Sequence, residues 1–474
     1  MLFSSIEFLL YFLPAVLVLY YALSFSRKAQ NVLLLIASLF FYAWGEPRYV
    51  LLMIGSILVN AALGGLIGRS GEARRKKTLL VLAIVLNVGT LFLMKYLGFL
   101  WELLGLDKYY ALSIPLPIGI SFFTFQALSY VIDVYRGDVA AANVFRVGLY
   151  ISFFPQLIAG PILQYGDVAQ QICGRKASFD KLAMGICRFT AGLGKKVLLA
   201  NAFAAVADHV FNWTLIGADY VTVPATLAWL GSIAYSLQIY FDFSAYSDMA
   251  IGLGLCFGFK FPENFNYPYI ADSVSDFWKR WHISLTNWFR QYVYFPLGGS
   301  RVENKDRMVR NLLIVWLLTG IWHGANWTFL FWGLMYFAFQ LVERFTGFPN
   351  KLPGRFLRHA YTLLVVNAAW VIFRAPDLYQ AGRYFLNMLA LNRNGFFSDT
   401  ALMLLKENWL QFLLGIVFCM PVARNLNARM YAQPDGRLNK VLTVLYPLGM
   451  LCVLVVCVSY LVSGSYNPFI YFNF

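Results

Sequence analysis

Between Asn311 and Leu341 the chain contains no Asp, Glu, Lys or Arg, and His323 is the one ionisable side chain in the run. A neutral imidazole, with an ordinary pKa near 6.5, can take a proton from a hydroxyl and return it at neutral pH. An ionisable group inside so apolar a stretch is costly in lipid, which makes it a candidate site, although a packed histidine bonded to one carbonyl is the alternative. His282 is the second candidate. It lies in Asp276-Phe-Trp-Lys-Arg-Trp-His-Ile-Ser-Leu-Thr-Asn-Trp-Phe-Arg-Gln-Tyr292, beside Lys279, Arg280 and Arg290. Asp242 and Asp248 are the third. They are the only charges in the apolar run from Ala225 to Phe259, with Tyr246 four residues after Asp242 and Ser244 four before Asp248. That spacing lets each pair share a helix face, either as hydrogen-bonded glue between helices or as part of a proton pathway.

The elements that must position these groups are helices in a bilayer. The 474 residues are 60% hydrophobic, 18% aromatic and only 13% charged. Long apolar segments separated by short basic loops make an all-α, polytopic membrane protein. The net charge of +15 comes from those loops, so topology explains it better than nucleic-acid binding, and no nucleic acid is expected as a partner. The first span is expected near residues 6–23, a second ends near Trp44, and two more lie near 49–67 and 79–97. Basic loops at Arg27-Lys28 and 69–77 place the N-terminus outside the cytosol. The six cysteines show no metal or disulfide spacing, and no metal site is expected.

Segments broken by Pro and Gly, 115–130 and 153–161, suggest kinked or re-entrant elements lining a cavity. Residues 166–181, with Arg175 and Lys176, read as a cytosolic loop, and Lys195-Lys196 as cations snorkelling to the same surface. Trp278, Trp281, Leu285, Trp288 and Tyr292 recur at three and four, as one helical stripe. That stripe fits either an interfacial helix or the wall of a route to His323. The 311–341 run is too long for one straight span and too short for two. A long tilted helix and a broken pair meeting near Gly320-Ile-Trp-His-Gly324 both place His323 deep. Arg301, Lys305, Arg307 and Arg310 crowd its entry and suit either an anionic cytosolic ligand or simple topology.

Five blocks carry a family resemblance: Pro115-Leu-Pro-Ile-Gly-Ile-Ser-Phe122, Phe153-Phe-Pro-Gln-Leu-Ile-Ala-Gly-Pro161, Tyr240-Phe-Asp-Phe-Ser-Ala-Tyr-Ser-Asp-Met-Ala250, Phe277-Trp-Lys-Arg-Trp-His-Ile-Ser-Leu285 and Gly320-Ile-Trp-His-Gly-Ala-Asn326. Together, and in this order, they resemble the membrane-bound O-acyltransferase (MBOAT) family, in its alginate O-acetylation branch, which is related to the D-alanine transfer proteins. The resemblance covers nearly the whole chain. It implies about 10–12 tilted transmembrane helices, with re-entrant and interfacial helices, around a central tunnel. It divides 1–474, as a single domain, into N-terminal spans (1–110), a catalytic core (111–345) and C-terminal spans (346–474).

The resemblance also implies His323 as catalytic histidine and His282 as its companion. It implies acetyl-CoA as donor substrate with no permanently bound cofactor, and an exported SGNH-hydrolase-like partner that acetylates an extracytoplasmic polysaccharide at the cell membrane. Of three departures from the branch pattern, Ala245 is a small change, while Gln156 and Gln164 alter tunnel polarity or acceptor and leave the acceptor open. On this reading His323 is the general base, and Asn326 or a backbone N–H stabilises the oxyanion. Trp322, Trp278, Trp281, Asp242, Tyr246 and Asp248 line the substrate path, while Lys279, Arg280 and Arg307 meet the CoA phosphates. The alternatives are a polysaccharide-precursor transporter or flippase coupled to protons through Asp242 and Asp248, and a scaffolding subunit in which His323 is silent.

Overall fold

The computed structural model describes residues 1–110, 112, 114–211, 223–300, 304–393, 395–426, 437–464 and 466–470. Among these, the regular structure is helical. Five helices are long and apolar enough to cross a bilayer: Val50–Arg69, Ala73–Lys95, Phe179–Phe211, Arg355–Arg374 and Val441–Val462. Asp399–Glu407 and Trp409–Phe418, bent by 69° at their junction, make a sixth if taken together. A multi-pass membrane protein follows, because only a backbone that satisfies its own hydrogen bonds can lie in lipid.

The described chain divides into two compact units. The first comprises 1–189, 246–263 and 287–296. Its helix Ile120–Arg136 is buried on nearly every side. Tyr130 of that helix lies so close to Gly64 that a Cβ there would sit 2.6 Å from the ring. Helices Val50–Arg69 and Ala73–Lys95 exchange side-chain amides between Asn60 and Asn87, at 3.1 and 2.8 Å. Such polar contacts join helices where the hydrophobic effect cannot.

Two expectations are corrected in this unit. The irregular backbone of 115–130 is confined to the residues before Ile120, and from there the helix is unbroken to Arg136. Residues 166–181 are no loop either: Tyr165–Gly174 is a helix, and Arg175 is buried. Its guanidinium donates to Tyr20 Oη (3.1 Å) and Phe257 O (3.0 Å) and lies 4.2 Å from the Phe259 ring centre. A delocalised cation can be buried this way because acceptors and an aromatic face replace its water.

The second unit comprises 190–245, 264–286 and 297–474. Its centre is a helical hairpin, Lys305–His323 followed by Trp327–Thr346. The broken-pair form of the 311–341 run is therefore the one adopted. The two helices approach through glycine: a Cβ on Gly320 would lie 2.6 Å from Phe329 O, and one on Gly333 2.5 Å from Trp316 O. Glu343, near the end of the hairpin, accepts from the Val274 and Ser275 amides at 2.6 and 2.9 Å. A carboxylate there satisfies orphan N–H groups at the start of helix Val274–Arg280 and complements its dipole.

The expected stripe from Trp278 to Tyr292 is interrupted. Helix Val274–Arg280 ends before Trp281, and Ile283–Phe289 begins after His282, which has φ +44°. Trp278 and Trp281 belong to the second unit. Trp288, stacked on Phe125 at 3.7 Å, and Tyr292, donating to Asp133 at 2.8 Å, belong to the first.

Candidate active site

His323 is the last residue of its helix, and Gly324 turns the chain to an extended conformation. Three rings stand edge-on to the imidazole: Trp322 and Trp332 at 5.0 Å and Phe373 at 5.2 Å. The histidine faces a cavity of about 10 Å³, enough for roughly one water. Trp281, Trp370, Ile239, Phe243 and Ile470 form other parts of its wall. A helix C-terminus carries partial negative charge, which favours the positive charge an imidazole acquires when it takes a proton.

His282 is held very differently. Its backbone lies in the left-handed region, uncommon for a residue with a Cβ, and its side chain is buried. Asn264 Oδ1 accepts from Ser284 N (3.2 Å) and Ser284 Oγ (2.8 Å), so the atom is an acceptor. His282 Nδ1, 3.3 Å from that same oxygen, is therefore the protonated nitrogen. Burial pushes the His282 pKa down to about 3, so the ring is neutral at any working pH. The Phe243 ring lies 4.6 Å away and the Trp322 ring 6.1 Å away. Trp322 thus stands beside both histidines.

Asp242 is not a free acid. Its Oδ1 is 2.7 Å from Lys196 Nζ, with side chains 1% and 4% exposed. Lys196 is consequently not a cation snorkelling to the surface; it points inward because a buried carboxylate awaits it. The pair also receives the end of the chain. Lys196 Nζ donates to Pro468 O, and Ile470 N donates to Asp242 Oδ2 at 2.8 Å. The sequence reading missed both Lys196 and the tail. Adjacent lysines look like a surface pair, and 466–470 contains no side chain with obvious chemistry.

The other candidates disperse. Tyr246 and Asp248, although on the same helix as Asp242, belong to the first unit. Tyr246 stacks on Phe3 at 4.5 Å, and Asp248 pairs with Arg188, which also grips Glu263. Asn326 caps helix Trp327–Thr346: Oδ1 accepts from Thr328 N (3.1 Å), while Nδ2 donates to Pro376 O (2.8 Å). Trp278 packs against Trp316, Trp332 and Tyr336 rather than facing the cavity of His323. Arg280 is tied to Asp276 at 2.8 Å, whereas Lys279 and Arg307 are exposed and available to an anion. Arg301 lies outside the described residues.

The structure is thus a helical membrane protein with an imidazole on the wall of a small cavity. The chain belongs to the MBOAT, membrane-bound O-acyltransferase, family, whose model matches residues 90–379, and it is an O-acyltransferase. It is 39% identical to the probable alginate O-acetylase AlgI of Pseudomonas putida over the whole of both chains. With the peptidoglycan O-acetyltransferase of Helicobacter pylori the identity is 35%, over 83% of this chain and 80% of that one. It is also 30% identical to the teichoic acid D-alanyltransferase of Bacillus subtilis, over 49% of this chain and 60% of the other.

Proposed function

We propose that the protein takes an acetyl group from cytosolic acetyl-CoA and passes it across the cell membrane for O-acetylation of an extracytoplasmic polysaccharide. An exported SGNH-hydrolase-like protein receives the group, and the N-terminus lies outside the cytosol. The relatives described as O-acetylases of alginate and peptidoglycan support the acetyl group and a glycan acceptor. The observation that carries the reading is the position of His323, at a helix end and on the wall of a buried cavity.

His323 takes the proton of the attacking hydroxyl. The oxygen adds to the thioester carbonyl, the C–S bond breaks, and the proton goes to the departing CoA thiolate. Asn326, with its amide already engaged, gives up the oxyanion role. The Trp332 indole N–H suits it better: the residue is fully buried, its ring lies 5.0 Å from His323, and its nitrogen has no acceptor among the described residues. His282, neutral and locked by Asn264, orients Trp322 and the acceptor and keeps its single N–H proton throughout. Lys279 and Arg307 remain to meet the CoA phosphates.

The transporter alternative loses its carriers, because Asp242 and Asp248 are already neutralised by Lys196 and Arg188. The test is transfer from labelled acetyl-CoA in vesicles holding the full chain. His323→Ala should fold and lose transfer, and wild-type activity in that variant overturns the assignment.

A further inference from the structure

The stretch from Tyr466 to Ile470 is held at four of its five residues. Tyr466 Oη donates to Asp208, which Arg374 also grips. Asn467 Oδ1 accepts from Asn201 Nδ2 at 3.2 Å. Pro468 O accepts a hydrogen bond from Lys196 Nζ, and Ile470 N donates one to Asp242 Oδ2. Phe469 and Ile470 are buried, and Ile470 reaches the wall of the His323 cavity.

The Lys196–Asp242 pair has a cost that needs a reason. Two charges removed from water are worth keeping only if the remaining donors and lone pairs are also satisfied. Here the backbone of the tail supplies a carbonyl to the ammonium and an N–H to the carboxylate. The tail in turn needs them, because buried backbone N–H and C=O groups require partners. The pair and the tail satisfy each other.

The wall itself has one replaceable part. Trp281, Trp370, Trp332 and Phe373 pack ring against ring, Trp281 on Trp370 at 4.9 Å and Trp332 on Phe373 at 5.3 Å. Ile239 and Phe243 are fixed on the long helix Ala225–Cys256. Trp281, at the break between two short helices, is held by this ring stack, whereas Ile470 comes from a strap that is non-helical up to Phe469.

We propose that Lys196 and Asp242 are positioning residues that seat this strap against the His323 cavity, and that Ile470 thereby limits the transferred acyl group to two carbons. The second part rests on the acetyl-transfer reading above; the first does not. An extra methylene that a hydrophobic pocket cannot hold is discriminated against by about 10- to 200-fold.

Two measurements on the full-length chain test it. Carboxypeptidase digestion in detergent, followed by intact mass, reads the seating directly. In the wild type, trimming stops before Ile470. In Lys196→Met it removes Ile470 and Phe469, and Lys196→Arg restores protection. Asp242→Asn is the second variant should Lys196→Met fail to accumulate. Equal trimming in wild type and in the folded variant overturns the seating.

In proteoliposomes, thiol release from butyryl-CoA is compared with release from acetyl-CoA. Ile470→Ala should raise the butyryl-to-acetyl ratio at least about tenfold. An unchanged ratio, with acetyl turnover still measurable, overturns the gauge and leaves acetyl transfer standing. A wild type that turns over neither ester removes the acetyl reading and with it the gauge, while the digestion result still decides the seating.

Discussion

His282 and His323, two of the histidines of the second unit, share a neighbour, Trp322, and little else. His323 ends a regular helix, is surrounded by rings and faces a cavity with room for about one water. His282 sits in a strained break between two short helices, with one nitrogen committed to Asn264. On the reading proposed above, His323 handles a proton, whereas His282, buried, neutral and locked by Asn264, holds a shape. Both stand beside Trp322.

The strongest way to break this contrast is to remove each ring in turn. His323→Ala should lower acyl transfer by about 10²–10⁴-fold, the span of a general base, while the protein still elutes as a folded species. His282→Asn, which tolerates the left-handed backbone, should lose less, about 10- to 100-fold, with no change in the shape of the pH–rate profile. Equal losses, or a shifted profile in His282→Asn, would show that the two roles are not divided. Asn264→Leu removes the acceptor without touching either ring. It should cost about 1–3 kcal/mol of stability, read by thermal or denaturant unfolding in detergent, with a smaller loss of activity.

The pH dependence of stability sharpens the same point. The folded His282 pKa is about 3, against 6.5 in an unfolded chain. Between those values the unfolded state holds a proton that the folded state lacks, so stability falls as pH drops from 6.5 toward 3. The slope should be shallower in His282→Asn. The smallest effect is expected at Asn326. Asn326→Ala should cost about 1 kcal/mol through the lost cap and change transfer by less than about twofold, since its amide serves the helix and not the reaction.

The ion pairs carry a similar lesson. Asp242 and Asp248 look alike in sequence, six residues apart in one apolar helix. Asp242 meets a buried lysine and the end of the chain, whereas Asp248 meets Arg188 near the exposed Glu263. The i,i+4 spacing identified a helix but not the partners, because partners come from other segments.

Local chemistry was enough to show a multi-pass helical protein with spans near 49–67 and 79–97 and to single out His323 as a candidate, but it left open whether the 311–341 run is one tilted helix or a pair broken at Gly324. Apolar length, loop charge and Gly or Pro interruptions act over a few residues, and a bilayer enforces them strongly. The family motifs are equally local. Only the tertiary structure decided that Arg175 and Lys196 are buried, that Asn326 is a cap, that His282 is locked by Asn264 and Ser284, and that the tail reaches the cavity. Each of these depends on which distant group satisfies a polar atom. Ile470 and Asp242 meet across 228 positions of sequence, a contact that no periodicity encodes.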